Sequence, residues 1–220
     1  MSLTRRRLLA TLAAAPVLTT PLVLRAQDAG LITGNVCMVQ PATTEGPFYV
    51  DPELVRQDIT EGRPGVPLVL RLQVVSADCA PITGARVDIW HSDAGGLYSG
   101  VRAPNGDTRG ETFLRGTQFA DAAGVVRFDT IYPGWYPGRT PHVHYKVFVD
   151  DRTLLTSQVF FPDAASDGVY TQIAPYAARG RADTPNTADF IARRAGEAAV
   201  ARVDGASAGL SAALVVGVRG

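Results

Sequence analysis

The sequence has 220 residues, 46% hydrophobic and 19% charged, with no low-complexity tract, which excludes a disordered chain and leaves room for one ordinary domain or two small ones. Glycine (22) and proline (15) are frequent enough to favour a turn-rich fold over a helical bundle. The 21 basic residues balance 21 acidic ones, which argues against a nucleic-acid partner, and two cysteines without C-x-x-C spacing exclude a disulfide scaffold and a zinc ribbon.

Residues 1–26 read as an export signal and stand apart from the fold. Arg5-Arg6-Arg7 precede an apolar run from Leu8 to Leu24, and Arg25-Ala26 follow. Arginines before an apolar run resemble a twin-arginine signal, so the expected location is periplasmic, with cleavage after Ala26. At 17 residues the run is at the lower edge for a spanning helix, so an uncleaved anchor is the alternative. Once the signal is removed, no membrane association is expected, and residues 27–220 form one domain with 17 basic and 21 acidic residues. An oxidising compartment permits a disulfide between Cys37 and Cys79. Closing so long a loop stabilises by roughly 3–4 kcal/mol in the chain-entropy model; two buried free thiols are the alternative.

The body of the chain alternates apolar and polar residues. Leu68, Leu70, Leu72 and Val74 share one face of a predicted strand. Ala85–Trp90 and Val126–Ile131 alternate likewise. Val143, Tyr145, Val147 and Val149 oppose His142, His144, Lys146 and Phe148. Thr153–Phe161 is a further β-rich run, a helix is predicted from Thr187 to about Ala201, and Leu210–Val218 reads as a last strand. Short strands with frequent turns predict a mostly β fold, an antiparallel β-sandwich with few short helices.

The chemistry-bearing residues fall between Tyr98 and Gln158. Residues i and i+2 of a strand face the same side, so His142-Val143-His144 offers two imidazoles to one ligand. The turn before it, Tyr132–Pro141, holds Tyr132 and Tyr136. The strand ending at Trp90 leads into Ser92–Tyr98, which delivers another tyrosine. No cysteine is near enough to suggest a soft-metal site. A highly charged cation can deprotonate tyrosine far below its free pKa of about 10, and two tyrosinates with two neutral histidines suit ferric iron. His91, at the end of a strand, is read as a hydrogen-bonded structural residue.

Four stretches, in order, resemble intradiol ring-cleavage dioxygenases, the family of protocatechuate 3,4-dioxygenase and catechol 1,2-dioxygenase. They are Thr44–Tyr49 (TEGPFY), Gly84–Trp90 with Ala94–Tyr98, Phe128–Pro137 (FDTIYPGWYP) and Arg139–His144 (RTPHVH). The resemblance runs from about residue 40 to 190. It implies Tyr98, Tyr136, His142 and His144 as ligands of Fe(III), with Tyr98 staying bound and Tyr136 leaving when substrate chelates. It implies Arg139 and Gln158 beside the substrate as catalytic groups, and Pro47, Phe48, Tyr49 and Trp135 as substrate contacts. The partners implied are a catechol-type diol and dioxygen, the product a muconate-type diacid, and a homo-oligomer is compatible.

Two features depart from the family pattern. The stretch between Tyr136 and His142 is short, and the familiar R-P-A-H-I-H reads Arg-Thr-Pro-His-Val-His. Both changes fall at the pocket wall. A different class of protein, an exported transthyretin-like binding module, shares the Gly84…Asp121…Gly124…Phe128…Tyr136 rhythm but has no need of His-x-His or Tyr98.

Overall fold

The computed structural model describes residues 32, 38–51, 53–206 and 208–219. The expected export signal lies outside them, as does Cys37, one half of the expected disulfide. Cys79 is buried at φ 69° in the turn after the first long strand.

The strands in chain order are β1 (Pro67–Ser76), β2 (Arg86–Trp90), β3 (Arg102–Ala103), β4 (Gly106–Asp107), β5 (Arg115–Phe119), β6 (Val125–Ile131), β7 (His142–Val149), β8 (Arg152–Phe160), β9 (Arg202–Ala206) and β10 (Gly209–Val218). Two four-stranded sheets form the sandwich, ordered β6-β1-β10-β9 and β5-β2-β7-β8; β3 and β4 make a small separate hairpin. Helix α1 spans Asp163–Gln172 and α2 spans Phe190–Ala195.

The two sheets share one core because alternate residues of each point inward. Leu68, Leu70, Leu72, Val74 and Phe128 come from one sheet, and Val87, Ile89, Val143, Tyr145, Val147 and Val159 from the other. Each such side chain contributes about 1.5–3 kcal/mol by leaving water, so register is strongly specified. A slip of one residue would put His142 and His144 into the core.

Antiparallel pairing holds between all neighbouring strands but one pair. β1 and β10 run parallel, from Leu68↔Leu210 to Ser76↔Val218. A parallel neighbour needs a long crossover, and β10 returns only after α2 and β9. Its Ala212–Val218 run is buried at every position, as strands covered on both faces are.

The helix expected from Thr187 to Ala201 is shorter. Asp189 caps it, its carboxylate accepting from Ile191 N and Ala192 N, and Gly196 at φ 73° ends it. Residues Glu197–Ala199 then form a 3-10 turn. Ala192, Ala195 and Ala199 pack on Phe160, which pairs with His142 in the β7–β8 ladder. The C-terminal helix is thereby brought to the histidine end of the second sheet.

Candidate functional site

The site is built on the face of the second sheet that points away from the core. Strand register sets one row across four strands: Arg115↔Trp90↔His144↔Gln158. His142 lies two residues from His144 on the same face. Both imidazoles are buried, with their Nε2 atoms 3.1 Å apart.

Two turns bring the tyrosines to this row. Asp93 shapes the first, its carboxylate accepting from Gly95 N and Leu97 N. The second runs from Tyr132 to Arg139, and Arg139 N donates to Tyr136 O across Pro137-Gly138. The turns nest through two glycines. A Cβ on Gly134 would stand 2.1 Å from Asp93 O, and one on Gly96 would stand 2.5 Å from Trp135 O, so no larger residue permits the approach. Tyr98 Oη thus reaches 3.4 Å from His142 Nε2, and Tyr136 Oη 3.0 Å.

The four expected ligands therefore converge. Imidazole nitrogens stand about 2.1 Å from zinc, a scale shared by first-row ions. Two donors at that distance, about 90–110° apart, are separated by about 3.0–3.4 Å, which matches the spacings around His142 Nε2. The donor chemistry fits as well. Burial, and then the charge of Arg139, pushes His142 down to about 3. Burial, then His142, pushes His144 well below its ordinary value. Both rings are neutral near pH 7, with lone pairs to offer. His142 Nδ1 donates to Thr140 O at 2.6 Å, which leaves Nε2 unprotonated and aimed at the tyrosines. Burial also raises Tyr98 and Tyr136, so neither ionises without a cation beside it. Among the described residues no group of three or more His, Cys, Asp or Glu is placed to hold a metal; a two-tyrosine, two-histidine set is a different kind of centre.

Arg139 and Gln158 stand beside this set. Arg139 Nη2 donates to Gln158 Oε1 at 2.6 Å, and Nη1 lies 3.4 Å from His142 Nε2. Gln158 in turn donates through Nε2 to Thr44 O at 3.2 Å. That carbonyl belongs to a strap, residues 43–49, which crosses the outer face of the sheet. Thr43 N donates to Thr156 O, Glu45 pairs with Lys146, and a Cβ on Gly46 would lie 3.4 Å from His144 Cε1. The strap roofs the site.

The remaining expected contacts separate. Phe48 packs on Tyr98 with ring centroids 4.7 Å apart, beside a ligand. Pro47 is exposed. Tyr49 donates its hydroxyl to buried Asp88, away from the donors, and its ring rests on Trp90. Trp135 donates its indole N–H to Gly180 O and carries Arg179 on its face, so its polar edge is turned from the donor set. Tyr132, the other tyrosine of the turn, bonds Ser166 Oγ at 2.7 Å and packs on Phe161 in the core. His91 is held at both nitrogens, by Ser92 O and Thr130 Oγ1, as a structural residue should be.

Two participants carried no sequence signal for this role. Trp90 stacks on His144, with centroids 4.9 Å apart and planes 11° apart. Asp189 accepts from Arg139 Nε at 2.7 Å and from Thr140 N at 3.0 Å. Burial pushes its carboxyl up, but the hydrogen bond and charge of Arg139, together with the N–H groups of Ala192 and Thr140, hold it below its ordinary value.

The chain is also similar to known proteins along much of its length. The family model described as "Dioxygenase" matches residues 41–181. Catechol 1,2-dioxygenase of Acinetobacter baylyi is 32% identical over 157 residues, covering 61% of this chain and 49% of that protein. The protocatechuate 3,4-dioxygenase beta chain of Burkholderia cepacia is 31% identical over 145 residues, 60% of this chain and 61% of that one. Among solved structures, an intradiol ring-cleavage dioxygenase from Tetranychus urticae superposes with a TM-score of 0.77 at 31% identity, covering 83% of this chain and 95% of that one. The chain spans about half the length of the first curated relatives it matches.

Proposed function

Because the chain belongs to the intradiol ring-cleavage dioxygenase family, we propose that it uses Fe(III) and dioxygen to cleave a catechol-type diol between its two hydroxyl-bearing carbons, yielding a muconate-type diacid. The observation that carries this reading is the convergence of Tyr98 Oη, Tyr136 Oη and the Nε2 atoms of His142 and His144 on one point, with Arg139 at its edge. A binding module has no use for that arrangement.

Ferric iron, when bound, supplies Lewis acidity that ionises the tyrosines and activates a chelated diolate toward dioxygen. Two tyrosinates against a trivalent ion leave one net positive charge for an anionic substrate. His142 and His144 would hold the ion as neutral donors and need give up no proton to do so. Tyr98 is 3% exposed and wedged beneath Phe48, so it is the donor that stays. Tyr136 sits on a four-residue turn and is less buried, so it would be the donor to give way to substrate and to hold a substrate proton at Oη. Arg139 faces the donors with a guanidinium N–H edge and stabilises negative charge as it develops in a site that excludes water. Gln158 fixes that edge, and the strap at 43–49 keeps solvent out.

The experiment is to purify the protein, measure its metal, and offer a panel of catechols with product analysis. Tyrosinate bound to ferric iron absorbs visible light, so a wine-red protein that turns catechols into muconate-type acids is the expected result. Stoichiometric zinc in place of iron when both are supplied overturns the reading. The same proposal includes export to the periplasm by a twin-arginine route, supported by Arg5-Arg6-Arg7 before Leu8–Leu24. Replacing the three arginines by lysine is expected to strand precursor inside the cell, and normal export of that variant overturns the route.

A further inference from the structure

We propose that Asp189 is the positioning residue for Arg139: its buried carboxylate fixes the guanidinium with one N–H edge toward the metal-binding donors. This rests on the reading of the site given above.

The carboxylate is 1% exposed and takes four N–H groups. Oδ1 accepts from Ile191 N at 2.7 Å and Ala192 N at 3.1 Å, capping α2. Oδ2 accepts from Arg139 Nε at 2.7 Å and Thr140 N at 3.0 Å. One side chain thus ties the C-terminal helix to the turn that carries both Arg139 and the carbonyl of Thr140, which orients His142. Arginine has several rotatable bonds and a large rotamer entropy to lose. Asp189 on Nε and Gln158 on Nη2 remove most of that freedom before substrate arrives. Nη1 is left as the edge nearest the donors, 3.4 Å from His142 Nε2. Without the carboxylate, a largely buried guanidinium loses the partner that balances its charge and must turn toward solvent.

Asp189→Asn separates positioning from folding. Asparagine caps helices as well as aspartate does, so α2 keeps its cap. The caps use Oδ1, so the asparagine NH2 takes the place of Oδ2 and faces both Arg139 Nε and Thr140 N, donor against donor. The expected result for the iron-loaded variant is an unchanged resting visible band and iron content, with turnover per bound iron lowered about 10–100-fold, the scale for losing a supporting contact at a metal site. A weaker spectral shift on titration with 4-nitrocatechol is the expected companion, and Asp189→Glu restores part of both. The double variant with Arg139→Ala is expected to be no slower than Arg139→Ala alone, since the effect passes through Arg139. A merely structural role predicts lost iron and lowered melting temperature with turnover per iron unchanged, and that result overturns the proposal. So does additive loss in the double variant. A colourless, inactive wild-type protein overturns the site reading and this proposal with it, whereas an active wild type matched by Asp189→Asn overturns the proposal alone.

Discussion

His144 is held at its ring face by Trp90, with no hydrogen bond orienting it through Nδ1. The rings stack at 4.9 Å and 11°, while neither His144 Nδ1 nor Trp90 Nε1 has a hydrogen-bond partner among the described residues. His142 is oriented in the usual way, by a carbonyl on Nδ1. The two histidines of one strand are therefore steered by different forces.

Trp90→Phe keeps a ring against His144, and Trp90→Leu does not. The leucine variant is expected to lose iron to a chelator at least about 10-fold faster than wild type, with the phenylalanine variant between them. Equal release rates for all three would show that the stack does not orient the ligand.

The four donors have unequal consequences when removed. His142→Ala or His144→Ala is expected to drop iron occupancy sharply, because water replaces imidazole poorly. Tyr98→Phe removes the buried anionic donor, so colour and activity both disappear. Tyr136→Phe is expected to retain most iron while shifting the visible band and slowing turnover. An unchanged spectrum in Tyr136→Phe would remove Tyr136 from the ligand set.

Arg139→Ala is expected to leave iron and resting colour nearly intact while lowering turnover by about 10²–10³-fold, the scale for losing one charge-stabilising donor. Metal analysis beside steady-state rates checks this. Loss of iron in step with activity would make Arg139 structural.

The iron-free protein should weaken in acid. Burial pushes His91 to about 4, His142 to about 3 and His144 well below its ordinary value. The unfolded chain binds these protons below about pH 6.5 and the folded chain refuses them. Stability is therefore full above about pH 6.5 and falls as pH drops toward the folded values. The slope reaches at most about 1.4 kcal/mol per pH unit for each histidine. Urea midpoints at about pH 7 and about pH 5 measure it, and equal midpoints would mean that the histidines are not held neutral.

Exported protein is expected to carry the Cys37–Cys79 bond. Peptide mapping without reduction tests it, and finding both thiols free would exclude it. Reduction should then lower the melting temperature, since removing a native disulfide commonly costs about 2–5 kcal/mol.

Much of this architecture is legible locally. Period-two alternation marks β1, β2, β6, β7 and β8, and the i, i+2 spacing of His142 and His144 is enough to put both rings on one face. Tyr98 and Tyr136 come through family resemblance, because nothing in a turn's composition says which tyrosine faces inward. The structure puts Tyr132 in the core against Ser166 and Phe161, partners that lie about 30 residues away in sequence, and leaves Tyr136 beside the histidines. β5 carries no such mark because Arg115-Gly116-Thr117-Gln118 has no apolar alternation. Helix α1 is equally silent because Gly168 interrupts it and its buried face includes Ser166. Asp189 shows only a helix cap; its grip on Arg139 spans 50 residues. Tyr49 and Trp135 are expected at the substrate, yet their polar atoms are engaged by Asp88 and Gly180.

The two faces of β7 have separate heritable fates. Val143, Tyr145 and Val147 fill the interior, while His142 and His144 stand outside it beneath the strap. A drift at an odd-numbered position is felt by every reaction the protein could host, since it loosens the scaffold itself. A drift at an even-numbered one changes what the scaffold is for and leaves the sandwich to fold as before. Side chains of the outer row can thus be exchanged while the interior stays packed, so the frame and the chemistry it carries answer to different substitutions.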